Sequence, residues 1–404
     1  MSSDRTAVPR LPWDAVDPFP FYERRRRDGD MVWDETAQAW LILGYHKAQQ
    51  VLSQSGWTVD PLASQSARAA RETINPEMFS QSMLNTEGAA HRRLRAATRD
   101  VFAPSFITGL TAGVDAIAET LIDHPAAGTV FDFMTEVAQP LTLAVLGEWL
   151  GLEAESSRLL SEKTQEISPM ARPLPTVAEF ATGTAASARL VAHLLPLAAA
   201  RRAEPGDDLL SFLACDPDLR LDEVVVNTVN IAVGALENTA DFLGSATFRL
   251  LTHDAHGARL IDEVDVSDPE LITELLRLDS PQAISRTAAE PQRIGDVDIA
   301  VGQQVVIVLA AANRDPAVFD EPDRCRPGRE GPAPLTFGHG EHFCIGRGLA
   351  RMQTQRVLHR MTARDPFLAG PVTWRDTPSR RGPLSLPITF RATGDRAEVA
   401  CPSS

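Results

Sequence analysis

The sequence predicts a mainly α-helical protein with small β-sheets, and two contrasting patterns carry this prediction. Residues 91–213 have mostly helical periodicity, and 221–251 follow as a proline-free stretch long enough for one helix of about 46 Å. After Arg286, short alternating runs separated by glycines are typical of short strands. Since no repeat or linker interrupts the chain, we expect one domain over residues 1–404, with 1–16 loosely ordered.

The remaining segments are assigned by the same reasoning. An apolar run that turns helical within 40–52 predicts a small strand pair followed by a helix, and the polar stretch 56–86 predicts a long loop. X-Pro steps break the helical region at 169–175, and an aspartate caps the helix that follows the turn at 204–208. Toward the end we predict an irregular loop over 313–334, a helix over 345–364 and a final hairpin over 377–392.

Composition and charge exclude several classes of protein. The chain is 44% hydrophobic and 23% charged, which is ordinary globular usage and argues against disorder. Its formal net charge of −15 disfavours general binding to nucleic acid or anionic lipid. No apolar stretch approaches the roughly 18 residues of a membrane span and no signal peptide is recognisable, so we expect a cytoplasmic location. The four cysteines are scattered without a CxxC pair, which argues against a disulfide framework and a zinc site.

The strongest local signal is the segment 337–346, FGHGEHFCIG, which places Cys344 directly before a predicted helix. Its first two glycines permit a tight loop with positive φ, and Gly346 lets the helix start close to a flat partner. A thiolate in such a loop can accept backbone N–H bonds and face a helix N-terminus, as an axial ligand of haem iron requires. His342 could meet an anionic group on the same side. A lone cysteine is equally typical of a small buried hydrophobic residue.

This segment resembles the cysteine-ligand loop of cytochromes P450 at every fixed position. Glu274 and Arg277 have the family's ExxR spacing, which puts both side chains on one helix face, although alone it would predict an ordinary surface ion pair. The resemblance implies that Arg324 is the third member of this Glu-Arg-Arg network, with a structural role. Since the order of segments matches from about residue 17 to 390, it also implies a single-domain P450 fold around a buried haem, of the soluble bacterial type.

The resemblance further implies a set of haem-binding residues. His91 and Arg95, four positions apart on a predicted helix, match a family pattern that binds haem propionates, whereas alone they would indicate a solvated basic helix. Arg286 and His342 add two more propionate partners. The implied cofactor is haem b, with Cys344 as the axial iron ligand, bound by His91, Arg95, Arg286, His342, Cys344 and Gly346.

Residues 234–239, GALENT, resemble the family's oxygen-activating segment with one departure. The resemblance implies that Glu237 supplies protons for oxygen activation. Asn238 stands where the family has threonine, and Thr239 follows about 100° further around the helix, so the catalytic candidates are Glu237, Asn238 and Thr239. An amide donates and accepts hydrogen bonds but does not ionise usefully at neutral pH. Asn238 is therefore a neutral replacement, a group that holds water or a polar substrate, or a sign of chemistry such as oxidative C–C or C–N coupling.

The resemblance also locates a substrate pocket and a partner surface. The pocket segments are 61–83, 168–176, 282–284 and 384–386, and the predicted contacts, each equally compatible with simple packing, are Val233, Leu236, Ile284 and Leu384. Because these are mostly apolar, we expect a largely hydrophobic substrate. Arginines flank the cysteine loop in an otherwise acidic chain, namely Arg324, Arg326, Arg329, Arg347 and Arg351. Apart from Arg324, which we expect to be internal, they form either a basic patch suited to an acidic ferredoxin or a solvated charged surface.

Three functions are consistent with these features. The first is a haem-thiolate monooxygenase that oxidises a hydrophobic small molecule of secondary metabolism with dioxygen and ferredoxin electrons. The second is an enzyme of the same fold that couples or cyclises its substrate without inserting oxygen, and the third is a non-catalytic haem-binding protein. Incorporation of labelled oxygen into product separates the first two.

Overall fold

The structure is a computed structural model that describes residues 9–63, 77–280 and 283–391. The helices of these ranges are α1 (Phe19–Arg26), α2 (Tyr45–Ser53), α3 (Glu77–Ser80), α4 (Gly88–Arg99), α5 (Pro104–Gly109), α6 (Thr111–Asp123), α7 (Gln139–Leu150), α8 (Ala154–Ile167), α9 (Val177–Ala203), α10 (Leu209–Ala214), α11 (Leu221–Leu251), α12 (Leu260–Glu263), α13 (Pro269–Leu278), α14 (Leu309–Ala312) and α15 (Arg347–Thr362). The strands are β1 (Met31–Asp34), β2 (Ala39–Ile42), β3 (Trp57–Thr58), β4 (Phe131–Asp132), β5 (Ile284–Ala288), β6 (Gln292–Ile294), β7 (Val297–Ile299), β8 (Gln304–Ile307), β9 (Pro366–Leu368), β10 (Thr373–Trp374), β11 (Pro383–Ser385) and β12 (Pro387–Phe390).

Helix α11 is the central element of the larger hydrophobic core, as the sequence predicts. The Glu223 carboxylate accepts the Arg220 backbone N–H at 3.0 Å, which satisfies a donor at the start of the helix. Most of the residues that follow are apolar and buried, so α11 packs on several sides, against α7, α8 and α9. This burial places the middle of α11 deep inside the molecule.

The first half of the chain follows the predicted order of elements. Strands β1 and β2 pair antiparallel and α2 follows them. The helical region breaks at the 3₁₀ turn Ser168–Ala171, and Asp208 caps α10 by accepting the Ser211 N–H at 2.7 Å. Residues 64–76 of the predicted loop 56–86 lie outside the described residues.

The described helices differ from membrane spans in length and apolar content. None of them is by itself long and apolar enough to cross a bilayer. Two helical segments that meet at a bend, residues 88–109 and Thr111–Asp123, together reach the length and apolar composition of a span, and nothing beyond length and composition supports that reading.

The small sheets join segments that are distant in sequence. The largest has five strands in the order β1-β2-β8-β5-β3, in which β2 and β8 run parallel and the other neighbours antiparallel. Its register places Ile284 opposite Ile307 and Arg286 opposite Val305. The prediction of short strands in this part of the chain is confirmed, and β5 carries two predicted site residues in fixed register.

The two ends of the chain compare differently with their predictions. Residues 1–8 lie outside the described residues, so a loosely ordered segment 1–16 stays a prediction, although Trp13 is buried and its Nε1 donates to the Pro378 carbonyl at 2.5 Å. The prediction for the C-terminal end is wrong. The final hairpin does not form, because β11 pairs with β10 whereas β12 lies between β4 and β9. A local pattern of alternation does not identify strand partners that are distant in sequence.

Candidate active site

Cys344 lies in a tight loop before the first turn of α15. Its backbone N–H donates to the Phe337 carbonyl at 2.9 Å, and Gly338 and Gly340 have φ angles of 75° and 74°, the left-handed conformation that the sequence predicts. A side chain on Gly340 would collide with the Leu52 carbonyl, so only glycine fits there. These constraints fix the position of the cysteine relative to α15.

The surroundings of the Cys344 thiol are positive. Burial raises the pKa of the thiol, while the backbone N–H of Gly346 and the charges of Arg95 and Arg347 act in the opposite direction. Arg95 is held beside the loop because its Nη2 donates to the Phe343 carbonyl. The thiol therefore faces donors, a cation and the N-terminus of a 16-residue helix, all of which favour an anion.

Next to this loop, the buried His91 and the half-buried His342 meet edge to face. The ring centroids of His91 and His342 lie 4.1 Å apart, and both ring nitrogens of His91 and Nε2 of His342 are buried without a hydrogen-bond partner among the described residues. Burial, together with the charge of Arg286, lowers the pKa of His342 to about 3. The pKa of Arg286 falls to about 10 because its guanidinium is also buried.

These buried groups fit a ligand that carries carboxylates. A buried nitrogen without a partner costs free energy, as does a buried guanidinium without a counter-charge. Haem propionates would supply acceptors to the histidines and negative charge to Arg95 and Arg286. The residues that the sequence predicts as propionate partners are thus brought together beside Cys344.

In the middle of α11, one face is open and the opposite face is packed. Gly234 and Asn238, four residues apart, are exposed, and a Cβ added to Gly234 would meet no described atom within 4 Å. Asn238 Nδ2 donates to the Gly234 carbonyl at 3.2 Å. Thr239 is buried, as expected from its different direction on the helix. Leu236, two residues and about 200° from Asn238, is buried in the main core, and its role as a substrate contact stays a prediction.

The predicted acid Glu237 is ion-paired with an arginine that sequence reasoning missed. Arg380 contacts Glu237 through Nη1 and Asp241 Oδ2 through Nε at 2.6 Å. Arg375 Nε lies 3.0 Å from the other oxygen of Asp241. Two acids four residues apart on an otherwise apolar helix are a signal for a buried basic partner, but that partner comes from the loop between β10 and β11, which is remote in sequence.

The charges of this group are strongly perturbed by burial. Burial raises the pKa of Asp241 to about 7, against the opposing effect of Arg375. Burial and the nearby charge of Arg172 lower the pKa of Arg380 to about 10.

Glu274 and Arg277 form a buried bidentate pair rather than a surface one. Arg277 donates to both carboxylate oxygens, at 2.7 and 2.8 Å, and also to the carbonyls of Asn313 and Pro322. Although burial acts against it, the hydrogen bonds from Arg277 and the Arg326 backbone hold the pKa of Glu274 below its ordinary value. The pair thereby fixes the irregular loop that leads to Cys344.

The third member of this network is Arg329, and the assignment to Arg324 is wrong. Arg329 Nε lies 3.2 Å from Glu274 Oε1 and its side chain is 9% exposed. The Arg324 side chain is 72% exposed and pairs with Glu321, and only its backbone carbonyl reaches Arg277. The loop has no periodic pattern that would tell which arginine turns inward.

The other predicted site residues differ in their exposure to solvent. Val233 and Ile284 are half-buried, Leu384 is exposed, and residues 281–282 lie outside the described residues. Because Arg329 is internal, it does not belong to the predicted basic patch on the surface. Arg347 is exposed and its guanidinium lies 4.8 Å from the Phe343 ring centroid, over the cysteine loop.

Comparison with known proteins agrees with this arrangement. The family model described as cytochrome P450 matches residues 269–364. Cytochrome P450 107B1 of Saccharopolyspora erythraea is 32% identical over 367 residues, which cover 87% of this chain and 89% of the relative. The chain belongs to the cytochrome P450 family. A second relative of this P450, the 6-deoxyerythronolide B hydroxylase of the same organism, is 32% identical over 368 residues, 87% of this chain and 90% of the relative.

Solved structures have the same fold. The P450 enzyme CxnD, for C–S bond formation in chuangxinmycin biosynthesis, superposes with a TM-score of 0.81 at 26% identity, over 95% of this chain and 99% of that one. The predicted mainly α P450 fold is confirmed, and the protein is an oxidoreductase of the P450 monooxygenase type. Members of this family carry haem iron bound by a cysteine thiolate. One domain over 1–404 stays a prediction.

Proposed function

We propose that this P450 binds haem b through Cys344 and oxidises a hydrophobic secondary metabolite with dioxygen and electrons from a ferredoxin. The observation that carries the proposal is the set of buried donors without partners, on His91 and His342, beside the thiol. When bound, the haem supplies the activation of dioxygen with two electrons. The family membership supports the monooxygenase activity, and the apolar pocket residues support the substrate class.

The residues around Cys344 have separate tasks in this proposal. Cys344 would ligate the iron, and the N–H groups and cations around it would keep the sulfur anionic. Two propionates would be held by His91, Arg95, Arg286 and His342. Gly346 would leave room for the start of α15.

On helix α11, Glu237 and Asn238 would supply and position protons. Glu237 is the group that can release and regain a proton, which is general acid catalysis. Asn238 uses its amide N–H on the Gly234 carbonyl, which leaves Oδ1 free to accept from a water or from a substrate hydroxyl or amine. Thr239, the third catalytic candidate of this segment, is buried. Val233, Leu236, Ile284 and Leu384 remain the proposed substrate contacts.

Turnover under isotopically labelled dioxygen tests this function, with a substrate found by its spin shift. We expect one labelled oxygen atom in the product, and in the Asn238→Ala variant about tenfold less product per electron pair because proton delivery loses its positioned partner. An oxidised product without label would favour oxidative coupling or cyclisation without oxygen insertion. A spin shift without product would favour a non-catalytic haem protein, and unchanged coupling in the variant would make Asn238 a neutral replacement.

The ferredoxin proposal predicts a steep salt dependence. Arg347 lies exposed over the cysteine loop of an acidic chain, and exposed charges are screened beyond about 10 Å at 0.1 M salt. Reduction of the P450 by ferredoxin is expected to slow as salt rises, and Arg347→Gln is expected to slow it at low salt. Arg158→Gln, which removes an exposed arginine of α8, is the control. It should change neither the rate of reduction by ferredoxin at low salt nor the rate at high salt. A flat salt response would indicate a merely solvated surface.

A further inference from the structure

A cleft of about 190 Å³ lies between α1 and the chain around and after α14. Most of its lining is apolar, and the Phe19 ring and the side chains of Ala310, Ala311 and Pro322 contribute to it. Among the described residues, none that lines this cleft is proposed to bind haem or substrate. The cleft is therefore a separate feature of the molecule.

Three hydrogen-bond donors at this cleft are buried without an acceptor. The Tyr22 side chain is 2% exposed, and its Oη has no hydrogen-bond partner among the described residues. The same holds for Nε of Arg26 and Nε of Arg314, and all three residues line the cleft. A buried donor without an acceptor costs free energy, so a ligand that carries acceptor atoms would be stabilised here.

The two arginines are also poorly neutralised. The terminal nitrogens of Arg26 donate to three backbone carbonyls, those of Leu43, Ala311 and Arg314. In the part of the chain that the structure describes, no ion pair is found for Arg26, and Arg314 pairs with the 62% exposed side chain of Asp323. Burial lowers the pKa of Arg314 to about 10 and holds the pKa of Arg26 below its ordinary value. A negative charge on the ligand would oppose this effect of burial.

The Arg314 guanidinium is held in one orientation. It lies 3.6 Å from the Phe19 ring centroid, which is a cation–π contact. Its Nη1 donates to Asp323 at 2.8 Å and its Nη2 to the Leu278 carbonyl at 2.9 Å, so Nε is the donor that remains. A group that is already fixed loses little conformational freedom when it binds a ligand.

We propose that this cleft is an accessory binding site for a small monocarboxylate with an apolar body. Tyr22, Arg26 and Arg314 would hold the carboxylate, and the apolar lining would cover the body. An inorganic anion has no apolar surface to bury, so an organic acid fits the lining better. The exposed acids Glu23 and Asp323 also line the cleft and would repel a dianion more than a monoanion.

Calorimetric titration of the ferric holoenzyme with benzoate tests the site. We expect saturable binding that leaves the Soret band unchanged, because the cleft is separate from the proposed haem site. Acetate lacks the ring and benzyl alcohol lacks the charge, so each is expected to bind at least about tenfold more weakly than benzoate. Binding of benzylamine tighter than that of benzoate would overturn the proposal, as would the absence of benzoate binding or a Soret shift that follows the heat.

The two tyrosines of the chain supply a variant and its matched control. Tyr22→Phe removes one donor to the carboxylate and should weaken benzoate binding about 10- to 100-fold, the loss of one hydrogen bond to a charged group. Tyr45 Oη donates to the Ala333 carbonyl at 2.8 Å, and Tyr45 is not among the residues that line the cleft. Tyr45→Phe should therefore leave benzoate binding unchanged. Equal weakening by the two substitutions would overturn the site.

Two charge variants test the sign of the ligand. Glu23→Gln removes an exposed negative charge from the cleft and should tighten benzoate binding at low salt. Arg314→Lys keeps the positive charge but loses Nε, so it should weaken binding, and it replaces Tyr22→Phe if that variant does not fold. Weaker binding in Glu23→Gln, or unchanged binding in Arg314→Lys, would contradict a carboxylate held by these donors.

Discussion

The Cys344→Ser variant is expected to fold but to lose the Soret band that thiolate-ligated haem shows in the reduced carbon-monoxide difference spectrum. Serine has nearly the same shape as cysteine, but its hydroxyl is far harder to ionise and cannot supply the soft anionic sulfur that the iron needs. The loss should be complete rather than partial. The N–H groups and cations around this position stabilise a sulfur anion, and they cannot ligate iron in its place. The measurement is the difference spectrum of the wild-type and variant proteins at equal haem content.

A second buried cysteine provides the matched control. Burial raises the pKa of Cys325 to about 11, and Glu274 adds to this effect, so its thiol stays protonated at neutral pH. The Cys325→Ser variant should keep the full band. A band that survives in Cys344→Ser, or that is lost only in Cys325→Ser, would contradict the assignment of the ligand.

Replacing Arg329 by glutamine is expected to lower the free energy of unfolding by about 1.5–3 kcal/mol, the net contribution of a hydrogen bond to a charged group. The carboxylate left behind is that of Glu274, which Arg277 and the Arg326 backbone also hold. The loss would loosen the loop that leads to Cys344, so haem content should fall with stability. Urea unfolding of the holoprotein measures the effect.

Arg324→Gln is the comparison that decides between the two arginines. Its side chain is exposed and pairs at the surface, so the change in unfolding free energy should stay within about 0.5 kcal/mol. If Arg324→Gln proves the more damaging of the two substitutions, the network would have to be drawn through Arg324, as the family resemblance alone implies.

These two pairs of variants distinguish contacts that short spacing in the sequence predicts from contacts that it does not predict. Cys344 and its glycines stand within ten residues, and Glu274 and Arg277 within one helical turn, so local geometry dictates how they face each other. Arg329 and Arg324 stand five residues apart in a loop without periodicity. Which one turns inward depends on the path of the whole loop around Arg277.

The same distinction holds for helix α11. Its apolar composition and lack of proline predict its length and burial, and the 100° step between residues predicts that Thr239 points away from Asn238. The burial of Leu236 in the main core was not predicted, because sequence shows the spacing of residues around a helix but not which face meets the core. Only packing against the neighbouring helices decides that.

The sequence by itself determined the mainly helical class, the tight glycine loop before Cys344 and the shared helix face of Glu274 and Arg277. Each of these follows from spacing within a loop or a helix turn, where covalent geometry leaves few alternatives. The residues that gather beside Cys344 were implied by the family resemblance, and the burial of the Glu274–Arg277 pair was decided by the tertiary structure. The tertiary structure alone decided that Arg329 completes the Glu274 network, that β11 and β12 join different sheets, and that Arg380 holds Glu237. Those contacts join residues far apart in sequence, and they form where burial requires each charge and each strand edge to find a partner.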